Sequence, residues 1–267
     1  MKTARYLIPA ILLTLAACSV DSVAPPNLPD DPDDDLILDG RTRVTAGLQA
    51  LYGFNEGSGL FANDTSNTGN RSLLEIEDPN AVSWIPGGGI SINSPTRITS
   101  SLPPVSVGTQ CIASNAVTVE AWIKTASLIQ DGPAYFMSYG EGRNATNFTL
   151  AQAAQNVIAR VKTSTNPDGN TPELVSTRDI FVDATALTHI VYTRNGTEDM
   201  AYLYVNGESS GQVELAGNFT NWSADAPLTI GNSSDGTRPW RGEVHMVAVF
   251  CGALTPAQIF QNFSAGL

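Results

Sequence analysis

Two carboxylates on one face of a strand can divide acid and base work between them, and Glu75-Ile76-Glu77 has the i, i+2 spacing for it. That pair runs straight into Asp78-Pro79, so it reads as an exposed turn approach rather than the floor of a cleft. Glu120 stands alone as a strand carboxylate. The two histidines, His189 and His245, both fall in mid-strand, and neither lies near Cys111 or Cys251 in sequence. No nucleophile–base pair can be read from such spacing, and both rings read as packed or hydrogen-bonded strand residues. There is no Gly-Lys-Ser/Thr phosphate loop and no Cys-x-x-Cys, while Gly87-Gly88-Gly89 has no helix after it and reads as a turn. These residues argue against catalysis.

The elements that would carry any site are short strands. Val117-Thr-Val-Glu-Ala-Trp-Ile123 puts Val117, Val119, Ala121 and Ile123 on one face. His189–Arg194 leads to Asn195-Gly196, then Ala201–Val205 leads to Asn206-Gly207. Asn-Gly tolerates the positive φ of tight turns, so two successive hairpins are expected. Val244–Phe250 is apolar on both parities apart from His245, as a central strand covered on both faces would be. One helix is expected, at the C-terminus. Thr255 caps it with Pro256 at the first position and Gln258 three residues on, and Leu254 and Ile259 are spaced as a hydrophobic staple. It should close one end of the fold.

Residues 1–17 join a basic start (Lys2, Arg5) to an apolar run and small residues, the pattern of an export signal. The run is far short of the ~20 residues a spanning helix needs. Leu15-Ala16-Ala17-Cys18 resembles a bacterial lipobox, which implies a lipid on Cys18 as the mature first residue. The other reading is a plain signal beside a stray cysteine. Ser19 rather than Asp follows, which in a diderm bacterium implies sorting to the outer membrane. From 18 to 43 the chain is an acidic tether carrying Pro25, Pro26, Pro29 and Pro32, and it lacks the apolar surface to offset an ordering cost. The fold then occupies residues 44–267.

The whole chain has net charge −12, with 14 basic and 26 acidic residues. Removing the signal leaves 12 basic residues and −14, and seven of the acids (Asp21, Asp30, Asp31, Asp33, Asp34, Asp35, Asp39) sit in the tether. From residue 41 onward the chain keeps 19 acids against 12 bases, or −7. With no Lys/Arg cluster, a nucleic-acid partner is excluded, since affinity there comes from neutralising phosphates. The chain is 15% charged where about 25% is ordinary, so its surface is built from Ser, Thr, Asn and Gly.

Export places Cys111 and Cys251 in an oxidising compartment, where a pair is expected to bridge. Cys111 precedes the 117–123 strand and Cys251 follows the 244–250 strand, so antiparallel neighbours would bring them together; two free thiols is the alternative.

Gly47-Leu-Gln-Ala-Leu-Tyr-Gly-Phe-Asn-Glu-Gly-Ser-Gly59 with Asp64-Thr-Ser-Asn resembles the opening of laminin-G-like, concanavalin A-like domains. Val117–Lys124, Thr188–Gly207, Pro227–Gly231 and Gly242–Phe250 follow in that family's order. The resemblance covers residues 46–267 and implies an all-β fold, a two-sheet antiparallel jelly-roll sandwich with one short C-terminal helix. Many such relatives carry an Asp-Glu pair in the last strand, where this chain has His245 and Met246, which counts against calcium. Asp64 with Glu56 could still supply part of a calcium site. Glycosidases of this fold set two carboxylates ~5 Å apart on one strand, and no strand here carries that cluster.

What remains is binding. A sugar site offers aromatic rings beside Asn, Asp and Arg side chains. Trp84 and Trp122 fall in strand positions and should be packed, Trp122 beneath a loop on the second face of its sheet. Trp222, in Asn218-Phe-Thr-Asn-Trp-Ser, is the best candidate for an exposed ring, with Asn221 beside it; packing on the domain's own edge is the alternative. Trp240, in Arg238-Pro-Trp-Arg, is either a ligand platform or a buried anchor, with Arg238 at hand. The expected function is a lipid-anchored recognition domain for a glycan or a surface protein. A structural or adhesion component of the envelope comes second, and a glycosidase-like enzyme third.

Overall fold

The computed structural model describes residues 42–68 and 72–267. The export signal, Cys18 and the tether as far as residue 41 lie outside the described residues. β1 (Leu48–Tyr52), β2 (Phe61–Ala62), β3 (Leu74–Ile76), β4 (Val82–Trp84), β5 (Ile90–Ile92) and β6 (Ile98–Ser100) come first. α1 (Val105–Ser114) leads into β7 (Ala116–Thr125), β8 (Ala134–Gly140), β9 (Thr146–Ala153), β10 (Asn156–Val161) and β11 (Leu174–Val175). Then follow β12 (Thr188–Asn195), β13 (Met200–Val205), β14 (Glu208–Glu214), β15 (Leu228–Ile230), β16 (Gly242–Phe250) and α2 (Pro256–Ala265).

The strands form two sheets of eight. One runs β14-β13-β12-β7-β16-β5-β4, with β1 also paired to β16; the other runs β11-β10-β9-β8-β15-β6-β3-β2. Pairing is antiparallel throughout. β5 takes Gly242–Val244 of β16 and β1 takes Val247–Phe250, so the two succeed one another along the same edge. The inward residues of β7 (Val117, Val119, Ala121, Ile123) are fully buried and join one core with Phe148 and Leu150 of the facing sheet. This is the two-sheet antiparallel sandwich that the strand pattern predicts and the resemblance implies.

β16 is covered on both faces, as its double apolar parity requires. A bulge between Val244 and Met246 shifts the alternation, so Val244, Val247 and Val249 enter the main core while Met246, Ala248 and Phe250 face outward. What covers them is α2. Its capping box is formed, Thr255 Oγ1 accepting from Gln258 N and Gln258 Oε1 accepting from Thr255 N. The helix does not close an end of the sandwich, as expected, but lies on the outer face of the first sheet. That face carries Trp122, Val191, Tyr204, Met246 and Ala248, an apolar stripe that would otherwise meet water, and Ile259 and Phe263 at i, i+4 seal it. Trp122 is therefore packed, stacked on Phe263 at 5.8 Å and 9° between planes.

α1 is a second helix that the sequence does not announce. Val105-Ser-Val-Gly-Thr has weak helix propensity, and Pro104 offers no side-chain cap. Burial of Val107 and Cys111 holds the turn in place, and Cys111 bridges Cys251 with 4.4 Å between Cα atoms. The antiparallel register of β7 and β16, Thr118 opposite Phe250, is what brings the two cysteines together. Both hairpins form, by different chemistry. Asn206 (φ 52°) and Gly207 (φ 78°) make a two-residue turn with both residues left-handed. Asn195-Gly196 instead opens a four-residue loop, Asn195 facing Met200 across it, with Asp199 left-handed at φ 53°. Gly196 is required there because a Cβ would collide with the Asn115 carbonyl oxygen.

Candidate functional site

The lone strand carboxylate is not alone in space. Glu120 and His189 face outward from β7 and β12, beneath α2, and both are fully buried. Glu120 Oε1 meets His189 Nε2 at 2.7 Å and is ion-paired to Arg43, while Oε2 accepts from Asn262 Nδ2 at 2.9 Å. Arg43 also donates to the Gly266 carbonyl at 2.7 Å, and Val44 N donates to Asn262 Oδ1 at 2.8 Å. Burial works to raise the Glu120 pKa, but the His189 hydrogen bond and the Arg43 charge outweigh it and hold the carboxyl below its ordinary value. An acid–base pair with neither side chain open to solvent cannot meet a substrate. It clamps the chain's entry into the domain against α2 and β7.

Glu77 and Glu243 are likewise engaged by neighbouring side chains. Glu75 and Glu77 do share an exposed face, and Glu77 is committed to Arg97, Nε donating to Oε2 at 2.8 Å. Glu243 accepts from Lys124 Nζ at 2.8 Å and sits 3.0 Å from His245 Nε2.

The aromatic candidates are corrected by the structure. Trp222 is 6% exposed: its indole donates to the Lys162 carbonyl at 2.7 Å and its ring stacks on Phe219 at 4.1 Å. Asn221 donates to the Thr163 carbonyl at 2.8 Å, tying the loop to the end of β10. The loop is polar because it must satisfy that strand end, not because it faces a ligand. Trp240 is 0% exposed, set edge-on to Phe136 and donating to Gln152 Oε1 at 3.0 Å, which makes it the buried anchor. Arg238 serves through its backbone, accepting from Tyr135 N at 3.0 Å and donating to Asn232 Oδ1 at 2.9 Å. The two tryptophans thus pack among different side chains and form no common platform. Trp84 is half-buried, its indole donating to the Gly59 carbonyl at 3.1 Å.

Asp64 and Glu56, the candidate calcium ligands, are each engaged by nearby residues. Asp64 is buried, with Oδ1 accepting from Leu51 N and Ser66 N; Glu56 Oε1 accepts from both Asn63 nitrogens. These are backbone-fixing bonds within one loop region, whereas calcium asks for about six to eight oxygens. Among the described residues, no group of three or more His, Cys, Asp or Glu side chains is placed to hold a metal ion.

The outer face of the first sheet does carry a groove with the chemistry expected of a binding site. It holds about 240 Å³ between the β12–β13 hairpin and the start of α2. Tyr202, half-buried, and Tyr204, 7% exposed and packed in the cluster under α2, lie at i, i+2 on β13 and line it together with Leu254 and Pro256. Asn195 and Glu198 stand at its rim. Asn195 Oδ1 is used by Thr197 N at 3.0 Å, which leaves the amide nitrogen for a ligand. Glu198 is exposed and takes only a long bond of 3.4 Å from the Tyr202 hydroxyl. Thr193 lies beneath, held by Thr118 at 2.9 Å. The signal for this site was present in the sequence as the Tyr-x-Tyr alternation beside Asn195 and Glu198, but it is visible only once tyrosine as well as tryptophan is considered as a stacking surface.

A family model described as the concanavalin A-like lectin/glucanases superfamily matches residues 100–260. A comparison with curated protein sequences found no match. Among solved structures, the binding domain of botulinum neurotoxin DC in complex with SialylT aligns at TM-score 0.61 and 12% identity, covering 83% of this chain and 52% of that one. The same domain in complex with rat synaptotagmin II aligns at 0.60 and 13%, covering 82% and 51%. A Trypanosoma rangeli sialidase in complex with sialic acid aligns at 0.56 and 15%, covering 82% and 33%. The chain therefore spans about half of each toxin chain and a third of the sialidase. At such identities the likeness is one of fold.

Proposed function

The chain belongs to the concanavalin A-like lectin/glucanase superfamily, and from that premise we propose that its sandwich is a non-catalytic recognition domain that binds a glycan or a surface protein. The groove beside Tyr202 carries this reading. The half-buried Tyr202 ring, the Asn195 amide nitrogen and the exposed Glu198 carboxylate offer what the apolar faces and hydroxyl edges of a sugar require. The solved relatives named with SialylT, sialic acid and synaptotagmin II support glycans and proteins as the classes to test. A non-catalytic role is supported by the enclosure of the Glu120–His189 pair. We further propose that Cys18 carries a lipid and that the acidic tether holds the domain off the membrane, outer-membrane sorting following from Ser19.

A glycan array probed with the purified protein and with its Tyr202→Ala variant tests the recognition reading. Retention of one glycan class by the wild type, lost in Tyr202→Ala at unchanged melting temperature, is expected. Silence across the array, with a protein partner still captured through the same groove, would move the ligand to the protein class. Mass spectrometry of the mature N-terminus tests the anchor, an acylated Cys18 being the expected species.

A second reading, a structural or adhesion component of the envelope without a small-ligand site, is favoured by one observation. Trp122, Trp222 and Trp240 are all buried, so the rings best suited to a platform serve the fold instead. Loss of envelope integrity on deletion, with no ligand captured by the groove, would support it.

A further inference from the structure

Resting on the recognition reading of the Tyr202–Tyr204 groove, we infer that the groove selects uncharged pyranoses and refuses sugars that carry a carboxylate. The residues around it set the charge. Thr193, Asn195, Glu198, Tyr202, Tyr204 and Thr255 are its polar lining, and Glu198 is the one ionised side chain among the lining residues. The cation nearest in sequence, Arg194, points the other way: it alternates with Thr193 and Asn195 on β12 and so enters the core side of the sheet. There its guanidinium lies 5.0 Å over the Phe219 ring and donates to Asn115, Asp199, Leu215 and Gly217. It is fully buried and cannot turn to meet an anion.

Charge and hydrogen bonding then agree on one ligand class. An ionised carboxylate is an acceptor only, so Glu198 asks for donors, and two vicinal hydroxyls of a pyranose supply them as a pair. The amide nitrogen of Asn195 gives to a ring or hydroxyl oxygen, and the sugar's apolar face lies on Tyr202, the half-buried ring of the groove. A sugar carboxylate in the same place would meet a like charge with no cation among the lining residues to offset it, and the net −7 of residues 41–267 adds to that field.

Calorimetric titration of the purified full chain with methyl glucoside, methyl galactoside, glucuronic acid and sialic acid decides it. Neutral glycosides should bind, and the acidic sugars should bind about tenfold more weakly or not at all. Glu198→Gln should narrow that gap, and raised salt should narrow it in the wild type, since both relieve like-charge repulsion without altering the rings. Acidic sugars binding as tightly as neutral ones, in a manner abolished by Tyr202→Ala, would overturn the selectivity and leave the recognition reading intact. Failure of every glycoside and of the glycan array would take down both. A gap between neutral and acidic sugars that Glu198→Gln leaves unchanged would also overturn the inference, because Glu198 would not be its source.

Discussion

Glu120 Oε1 lies 2.7 Å from His189 Nε2, with both side chains shut away from solvent between β7, β12 and α2. The carboxylate is held there by four elements: the entry segment through Arg43, two neighbouring strands, and α2 through Asn262. Removing it by Glu120→Ala leaves Arg43 without its counter-charge and two buried hydrogen-bonding groups unpaired. A loss of about 3–5 kcal/mol in denaturant unfolding is expected. A change of less than about 1 kcal/mol, the range of exposed pairs, would show that the cluster does not clamp α2.

The same carboxylate sets an acid limb to stability. Its folded pKa is depressed, so its contribution is present above the unfolded glutamate value of about 4.3 and is lost as pH falls through the lower, folded value. Unfolding free energy should be level through neutral pH and decline below that range, with a shallower decline in Glu120→Gln. Parallel declines in the two proteins, followed by circular dichroism across an acid titration, would assign the limb to other carboxylates.

Trp222 and Trp240 are core residues, and truncation should show it. Trp222→Ala and Trp240→Ala should each cost about 3–5 kcal/mol, with Trp222→Phe milder because the stack on Phe219 survives. The measurement is chemical denaturation read by circular dichroism. A Trp222→Ala protein of wild-type stability that had lost its glycan would return the ring to the surface.

Cys111 and Cys251 are 140 residues apart in the chain, and their bridge closes that loop covalently. Reduction, or Cys111→Ser with Cys251→Ser, should lower stability by about 2–5 kcal/mol and loosen α1, which has little propensity of its own. Alkylation before and after reduction, counted by mass, checks the bridge; amide exchange over Val105–Ser114 checks the helix.

Much of the fold was legible in the chain because it rests on local periodicity. The parity of Val117–Ile123, the double parity of Val244–Phe250 and the Asn206-Gly207 turn each speak within ten residues. So does the Thr255 capping box, whose hydrogen bonds span three positions. The site was not legible in that way. Trp222 sits in a largely polar segment that left both exposure and packing open, and its indole is claimed by Lys162, 60 residues away.

The sequence by itself determined the sandwich, its hairpins and its final helix, and it marked the cysteines that would pair. Only the tertiary structure decided which face α2 would cover, that α1 would form at all, and that Glu120 would meet His189 at a distance of 69 residues. It also decided that Tyr202 rather than a tryptophan would be the half-exposed ring at the groove. Alternation states that a side chain leaves one face of a strand. What waits on that face is set by elements far along the chain, packed there because an apolar stripe cannot be left in water.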